Sequence, residues 1–145
     1  MKAVSSVMIA GAALALAACA QQEEVLVVEE PAVETVATEY TVFFGFDRAD
    51  LTDLGAQTVS EAAAAATSVG ASSVSVVGHT DTVGSVQYNQ GLSEARAATV
   101  VGAMVADGVN PAIITASGRS ELELAVPTED GVREPRNRRV EIGIN

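Results

Sequence analysis

The chain has 145 residues, 48% of them apolar, which is room for one folded core and excludes disorder of the whole. Nineteen acids against eight basic residues leave a net charge of −11, which repels nucleic acid and anionic headgroups alike. Aromatics at 3% without Trp exclude a base-stacking platform, and a single Cys excludes an internal disulfide or a cysteine-based zinc site.

Lys2 opens the chain, and an uncharged apolar stretch then runs from Val7 to Ala18. It falls short of the ~20 residues a membrane span needs, but it suits the apolar centre of an export signal over residues 1–18. The stretch ends in Leu16-Ala17-Ala18-Cys19, which resembles the bacterial lipoprotein signal. The resemblance implies that the mature chain starts at Cys19 and that this residue is lipidated, with palmitate among its three acyl chains. At ~0.8 kcal/mol per buried CH₂, more than one chain makes a stable anchor. Ala20 and Gln21 stand where inner-membrane retention would call for Asp, so the implied address is the outer membrane with the protein facing the periplasm. The alternatives are a secretory signal with an incidental Cys, or a buried amphipathic segment.

Residues 19–40 read as an acidic tether. Gln21 to Tyr40 holds six Glu and no base, and Pro31 interrupts any helix. Fully stretched, this leash spans at most ~65–70 Å at ~3.3–3.6 Å per residue. An edge strand over Val25–Val28 is the alternative.

Residues 41–145 form the folded domain. Thr41–Phe46 alternates Val42, Phe44 and Phe46 on one face, a strand. Leu51–Val69 predicts a helix, capped by Asp50 or Thr52 and ended by Gly70, with Leu51, Leu54, Ala62, Ala65 and Val69 inward. Ser73–Gly78 is a second strand, Gln87–Asp107 a second helix stopped by Gly108, and Ala112–Ala116 a third strand. A polar loop from Gly118 to Asn137 leads to a fourth strand on Val140, Ile142 and Ile144.

Two successive βαβ units bring the ends of strands one and two to one edge of the sheet, where open sheets bind ligands. Asp47, His79, Thr80, Asp81, Asn89, Ser93 and Arg96 pool there. Asn89 and Arg96 are seven apart, two helical turns, and so share a stripe. With Leu92 as origin, Arg96 falls at about 40° and the apolar Ala97, Val100, Val101 and Met104 at about 80–180°. Arg96 thus borders the core, where an unpaired charge is costly. Two readings of its relation to Asp81 stay open. They form a structural salt bridge, or they stand apart and each takes one end of a zwitterion, since an Arg fork grips a carboxylate and an Asp an ammonium.

Phe44-Gly45-Phe46-Asp47, Gly78-His79-Thr80-Asp81, the run Asn89-Gln90-Gly91-Leu92-Ser93-Glu94-Ala95-Arg96-Ala97, and Asn137-Arg138-Arg139-Val140-Glu141-Ile142 stand in that order. Together they resemble the OmpA-like peptidoglycan-binding domain over residues 41–145. The resemblance implies an α+β fold in βαβαββ order, an α/β sandwich whose mixed four-stranded sheet packs on two main helices with the last strand antiparallel to the others. It also implies non-covalent binding of peptidoglycan through the diaminopimelate of the stem peptide, with Asp81 on the ammonium and Arg96 on the carboxylate. Asn89 and the Phe46-Asp47 backbone line the same pocket, with Thr80 and Leu92 beside them. Arg138 and Arg139 match the basic C-terminal motif and are expected to be structural, Arg138 tying the loop to the sheet. Together with the lipid signal, the resemblance implies a lipoprotein that tethers the outer membrane to the cell wall. It adds Tol-type envelope proteins as partners, although Thr82-Val83-Gly84 and Ser93 depart from the lipoprotein branch.

No cofactor or metal is expected. His79 is the chain's single His and reads as a structural hydrogen-bonder. Asp47, Asp50 and Asp53 are spaced by threes, unlike a calcium loop, and suit the start of helix one. An enzymatic alternative, a wall hydrolase, would use Asp47 and Asp81 as a carboxylate pair. The acids of Glu121–Asp130 read as a solvated loop.

Overall fold

The computed structural model of the protein describes residues 38–145. The signal, the tether with its possible strand at Val25–Val28, and Cys19 lie outside them, apart from the tether's last residues. The element order is β1 (Glu39–Phe43), α1 (Asp53–Ser68), β2 (Val74–Gly78), α2 (Val86–Ala106), β3 (Ile114–Gly118) and β4 (Arg139–Ile144). The sheet order is β1-β4-β2-β3, with β4 antiparallel to both β1 and β2 and with β2 parallel to β3. This is the α+β fold expected, a mixed four-stranded sheet with two main helices.

Period-two alternation sets the faces. Val42, Val74, Val76, Val140, Ile142 and Ile144 point into a core shared with Val59, Ala62, Ala63, Ala65 and Ala66 of α1 and with Ala97, Val100 and Met104 of α2. Glu39, Thr41, Ser75 and Glu141 occupy the opposite, exposed face.

Several element boundaries differ from expectation for local reasons. β1 ends at Phe43. The chain turns over Phe46 and Asp47, and Asp47 takes a left-handed φ of 55°, a region Asp tolerates better than most residues. Phe46 therefore leaves the sheet and stands half-buried beyond its edge. α1 is capped by Thr52, whose hydroxyl accepts from Gly55 N at 3.0 Å. Its inward stripe is Gly55, Val59, Ala62, Ala63, Ala65 and Ala66, while Leu54 is 73% and Val69 47% exposed. The alanine run carries no contrast in size or polarity, so large residues at the helix ends misplaced the face. β3 starts late because Pro111–Ile113 forms a 3-10 turn capped by Asn110, whose side chain accepts from Ala112 N.

β1 and β2 point the same way, but β4 lies between them. The start of β4, with Arg138 just before it, therefore meets the ends of β1 and β2. Phe44 N donates to Arg138 O at 2.9 Å and His79 N to Arg139 O at 2.8 Å.

α2 lies unusually close to the sheet. Gly78 and Gly118 are register partners, and a Cβ on Gly78 would overlap the Ser93 carbonyl, while one on Gly118 would overlap the Ser93 hydroxyl. These two glycines bring the helix carrying Asn89 and Arg96 down onto the sheet edge. Gly78→Ala is expected to lower stability by about 2 kcal/mol through overpacking. Gly102→Ala, in α2 with open space around it, should raise stability by about 0.5–1 kcal/mol. Urea denaturation of both variants checks the opposite signs.

Candidate functional site

A cleft of about 220 Å³ opens between the β1–α1 turn, the segment after β2 and the first turns of α2. Phe46, Asp47, Asp81, Val83, Gly84, Tyr88, Asn89, Leu92 and Arg96 line it. A larger hollow of about 310 Å³ lies on the open sheet face, but its charged lining is Glu39 and Glu141 with no cation opposite. Only the first cleft, of these two, presents both signs.

Arg96 is fully buried. Its Nε donates to Arg48 O at 2.7 Å, Nη1 to His79 O at 2.9 Å and Nη2 to Gly45 O at 3.1 Å. Its guanidinium also lies 5.4 Å from the centre of the Phe44 ring. Burial pushes its pKa down to about 10, while Asp81 and Asp47 pull the other way. It remains a cation at neutral pH. A guanidinium has five N–H groups; three go to main-chain carbonyls, and the other two have no acceptor among the described residues.

Asp81 is buried as well. Its Oδ1 accepts from Val83 N at 3.2 Å, and its Oδ2 accepts from Arg138 Nη1 at 3.2 Å. The structural Asp81–Arg96 salt bridge is therefore not formed; the acid's partner is Arg138. Arg138 also donates from Nε to Phe44 O at 3.1 Å, so it ties the chain to β1 as expected and holds Asp81 in addition. Arg139 sits away from the cleft, paired with Glu141 at 2.8 Å.

The remaining residues divide clearly. Asn89 is buried, and its Nδ2 lies 3.3 Å from Asp81 O, 3.1 Å from Val83 O and 2.6 Å from Glu121 Oε2. Asp47 accepts a short hydrogen bond from the Tyr88 hydroxyl, which raises the Tyr88 pKa. The cap of α1 is Thr52 and not Asp47. Phe46 and Leu92 line the cleft. Thr80 does not: it is buried and donates to Asp81 O at 3.0 Å. Ser93 packs under the sheet edge, accepting from Ser120 N. Sequence reasoning missed Tyr88, Glu121 and the pairing of Arg138 with Asp81. Tyr88 is off the buried stripe of α2, and the other two approach across the long loop between β3 and β4.

The sequence matches the OmpA family over residues 43–138. The chain belongs to that family. It is 32% identical to a peptidoglycan-associated lipoprotein of Haemophilus influenzae, an alignment covering 95% of each chain. It is 42% identical over 114 residues to an outer membrane protein of Gluconacetobacter diazotrophicus, covering 74% of this chain and 30% of that protein. It thus spans less than a third of the latter's length. The crystal structure of the peptidoglycan-associated lipoprotein from Burkholderia pseudomallei aligns with a TM-score of 0.67 at 24% identity, over 73% of this chain and 90% of that one. That likeness shows the shared fold. Among the described residues no helix is long and apolar enough to cross a membrane.

His79 behaves differently from the hydrogen-bonder expected. Its backbone N and O are bonded, but both ring nitrogens lack hydrogen-bond partners among the described residues. Nε2 lies 3.7 Å from Glu141. Burial lowers its pKa from 6.5, helped by Arg139 and opposed by Glu141 and Glu123. A lowered folded value means that the unfolded chain takes up the proton first as pH falls. The contribution to stability is therefore intact above about pH 6.5 and declines below it. The urea midpoint of the native domain should fall between pH 7.5 and 5, and His79→Gln should flatten that part of the curve.

Proposed function

We propose that the domain binds peptidoglycan non-covalently in this cleft, through the diaminopimelate end of the stem peptide, and performs no chemistry on it. The carrying observation is Arg96, a buried cation held by three carbonyls, with no carboxylate in salt-bridge contact and two N–H groups to spare. Such a group is a preformed receptor for a carboxylate, because its desolvation cost is met on folding and not on binding. The acid across the cleft, Asp81, supplies the matching site for an ammonium, sharing its carboxylate with Arg138. Asn89, Phe46, Asp47 and Leu92 complete the walls, and Thr80 acts from behind by bonding the Asp81 carbonyl.

Kinship with a peptidoglycan-associated lipoprotein along nearly the whole chain supports the rest of the reading. Residues 1–18 act as a signal, Cys19 carries the lipid, residues 19–40 form the tether, and residues 41–145 reach the wall from the outer membrane. Tol-type envelope proteins are partners proposed on that kinship alone.

The wall-hydrolase reading needs two carboxylates facing each other across a sugar bond. Asp81 is instead bonded to Arg138 and Asp47 to Tyr88, an arrangement suited to holding a ligand.

The purified domain is expected to sediment with isolated wall sacculi without releasing soluble fragments. Asp81→Asn should weaken that binding roughly ten- to hundredfold, the loss expected of a charged hydrogen bond, with an unchanged circular dichroism spectrum. Pelleting of Asp81→Asn at the native level would overturn the reading, and fragment release would favour the hydrolase. In cells grown on labelled palmitate, the native chain should take up label and Cys19→Ser should not.

A further inference from the structure

Arg133 stands apart from the other arginines. Its guanidinium lies 3.7 Å from the centre of the Phe46 ring, within cation–π range, and Phe46 is a wall of the cleft. Every other arginine among the described residues faces a carboxylate or, for Arg96, main-chain carbonyls. Arg133 has neither, in a chain with nineteen acids. Its neighbour Glu134 is turned to Arg136 at 2.9 Å.

The position is built. Thr82, the residue after Asp81, accepts from Gly131 N at its carbonyl (2.8 Å) and from Val132 N at its hydroxyl (3.1 Å). The same hydroxyl donates to Glu129 O at 2.6 Å. These bonds fasten the chain leading to Arg133 to the segment that carries Asp81. The Phe46 ring then holds the exposed guanidinium against a residue of the cleft wall, with its N–H groups uncommitted among the described residues.

We infer that Arg133, seated on Phe46, is a second anion subsite, which takes a peptide carboxylate lying beyond the zwitterionic end gripped by Asp81 and Arg96. This rests on the binding reading above and deepens it. The cleft would then distinguish a stem peptide with free carboxylates from one in which they are amidated.

The test is a cycle between one residue and one set of ligand groups. The first probe is the tripeptide L-alanyl-γ-D-glutamyl-meso-diaminopimelate. The second is the same tripeptide with the glutamate α-carboxyl and the peptide-linked diaminopimelate carboxyl amidated, leaving the zwitterionic end untouched. By calorimetry the native protein should bind the free acid about fivefold more tightly than the amide, the size of one partly exposed ion pair. Arg133→Gln should bind both alike, at the native protein's affinity for the amide, with an unchanged melting temperature. Equal affinities of the native protein for the two probes, or an equal loss on both probes in Arg133→Gln, would overturn the inference and leave the zwitterion site standing. Failure of the native protein to bind either probe would sink both.

Discussion

The arrangement turns on one buried guanidinium. Arg96 reaches from α2 under the sheet edge and donates to carbonyls of Gly45 and Arg48 on one side and of His79 on the other. It thereby joins the turn after β1 to the end of β2, two segments that β4 keeps apart in the sheet. A lysine has a single nitrogen and could not span the three acceptors in this way. The group that shapes the cleft and the group proposed to receive the ligand are thus the same.

Removing a cation from water is costly, and the fold meets that cost with main-chain carbonyls instead of a carboxylate. A carboxylate partner would neutralise the group and occupy the face a ligand needs. Carbonyls lower the cost without cancelling the charge. The acid left over, Asp81, has its own cation in Arg138. Arg96 and Arg138 are thus set against Asp81 and Asp47, and the zwitterionic ligand proposed would add no net charge to the cleft. Diffuse attraction is unsuited to such a chain, whose net charge is −11; the binding proposed rests on local geometry.

Close packing makes that geometry possible. Gly78 and Gly118 sit side by side beneath Ser93, so α2 can approach the sheet until Arg96 touches the main chain beyond it. The long loop closes the other flank. Thr82 gathers the chain at 129–132, and Asn137 holds Val126 through both its amide nitrogen and its oxygen, each at 2.8 Å. Polar residues buried in this way are satisfied by main chain.

Much of this was legible in the sequence. Strand alternation and helix caps located all six elements to within a few residues, because burial of one face imposes a period whatever the neighbours are. The four motifs identified the family, and the placing of Arg96 beside the apolar stripe marked it as a buried charge. The inward face of α1 was not legible, since a run of alanines carries no polarity contrast. Nor were the partners of the charges. Asp81 and Arg96 lie fifteen residues apart and looked like a pair, yet Arg138 arrives from a distant segment because β4 inserts between β1 and β2. Where its pattern carries contrast, the sequence determines which groups face inward, through periodicity and the cost of burying charge. Only the tertiary structure decides which of them meet, because strand order brings together segments that no local pattern connects.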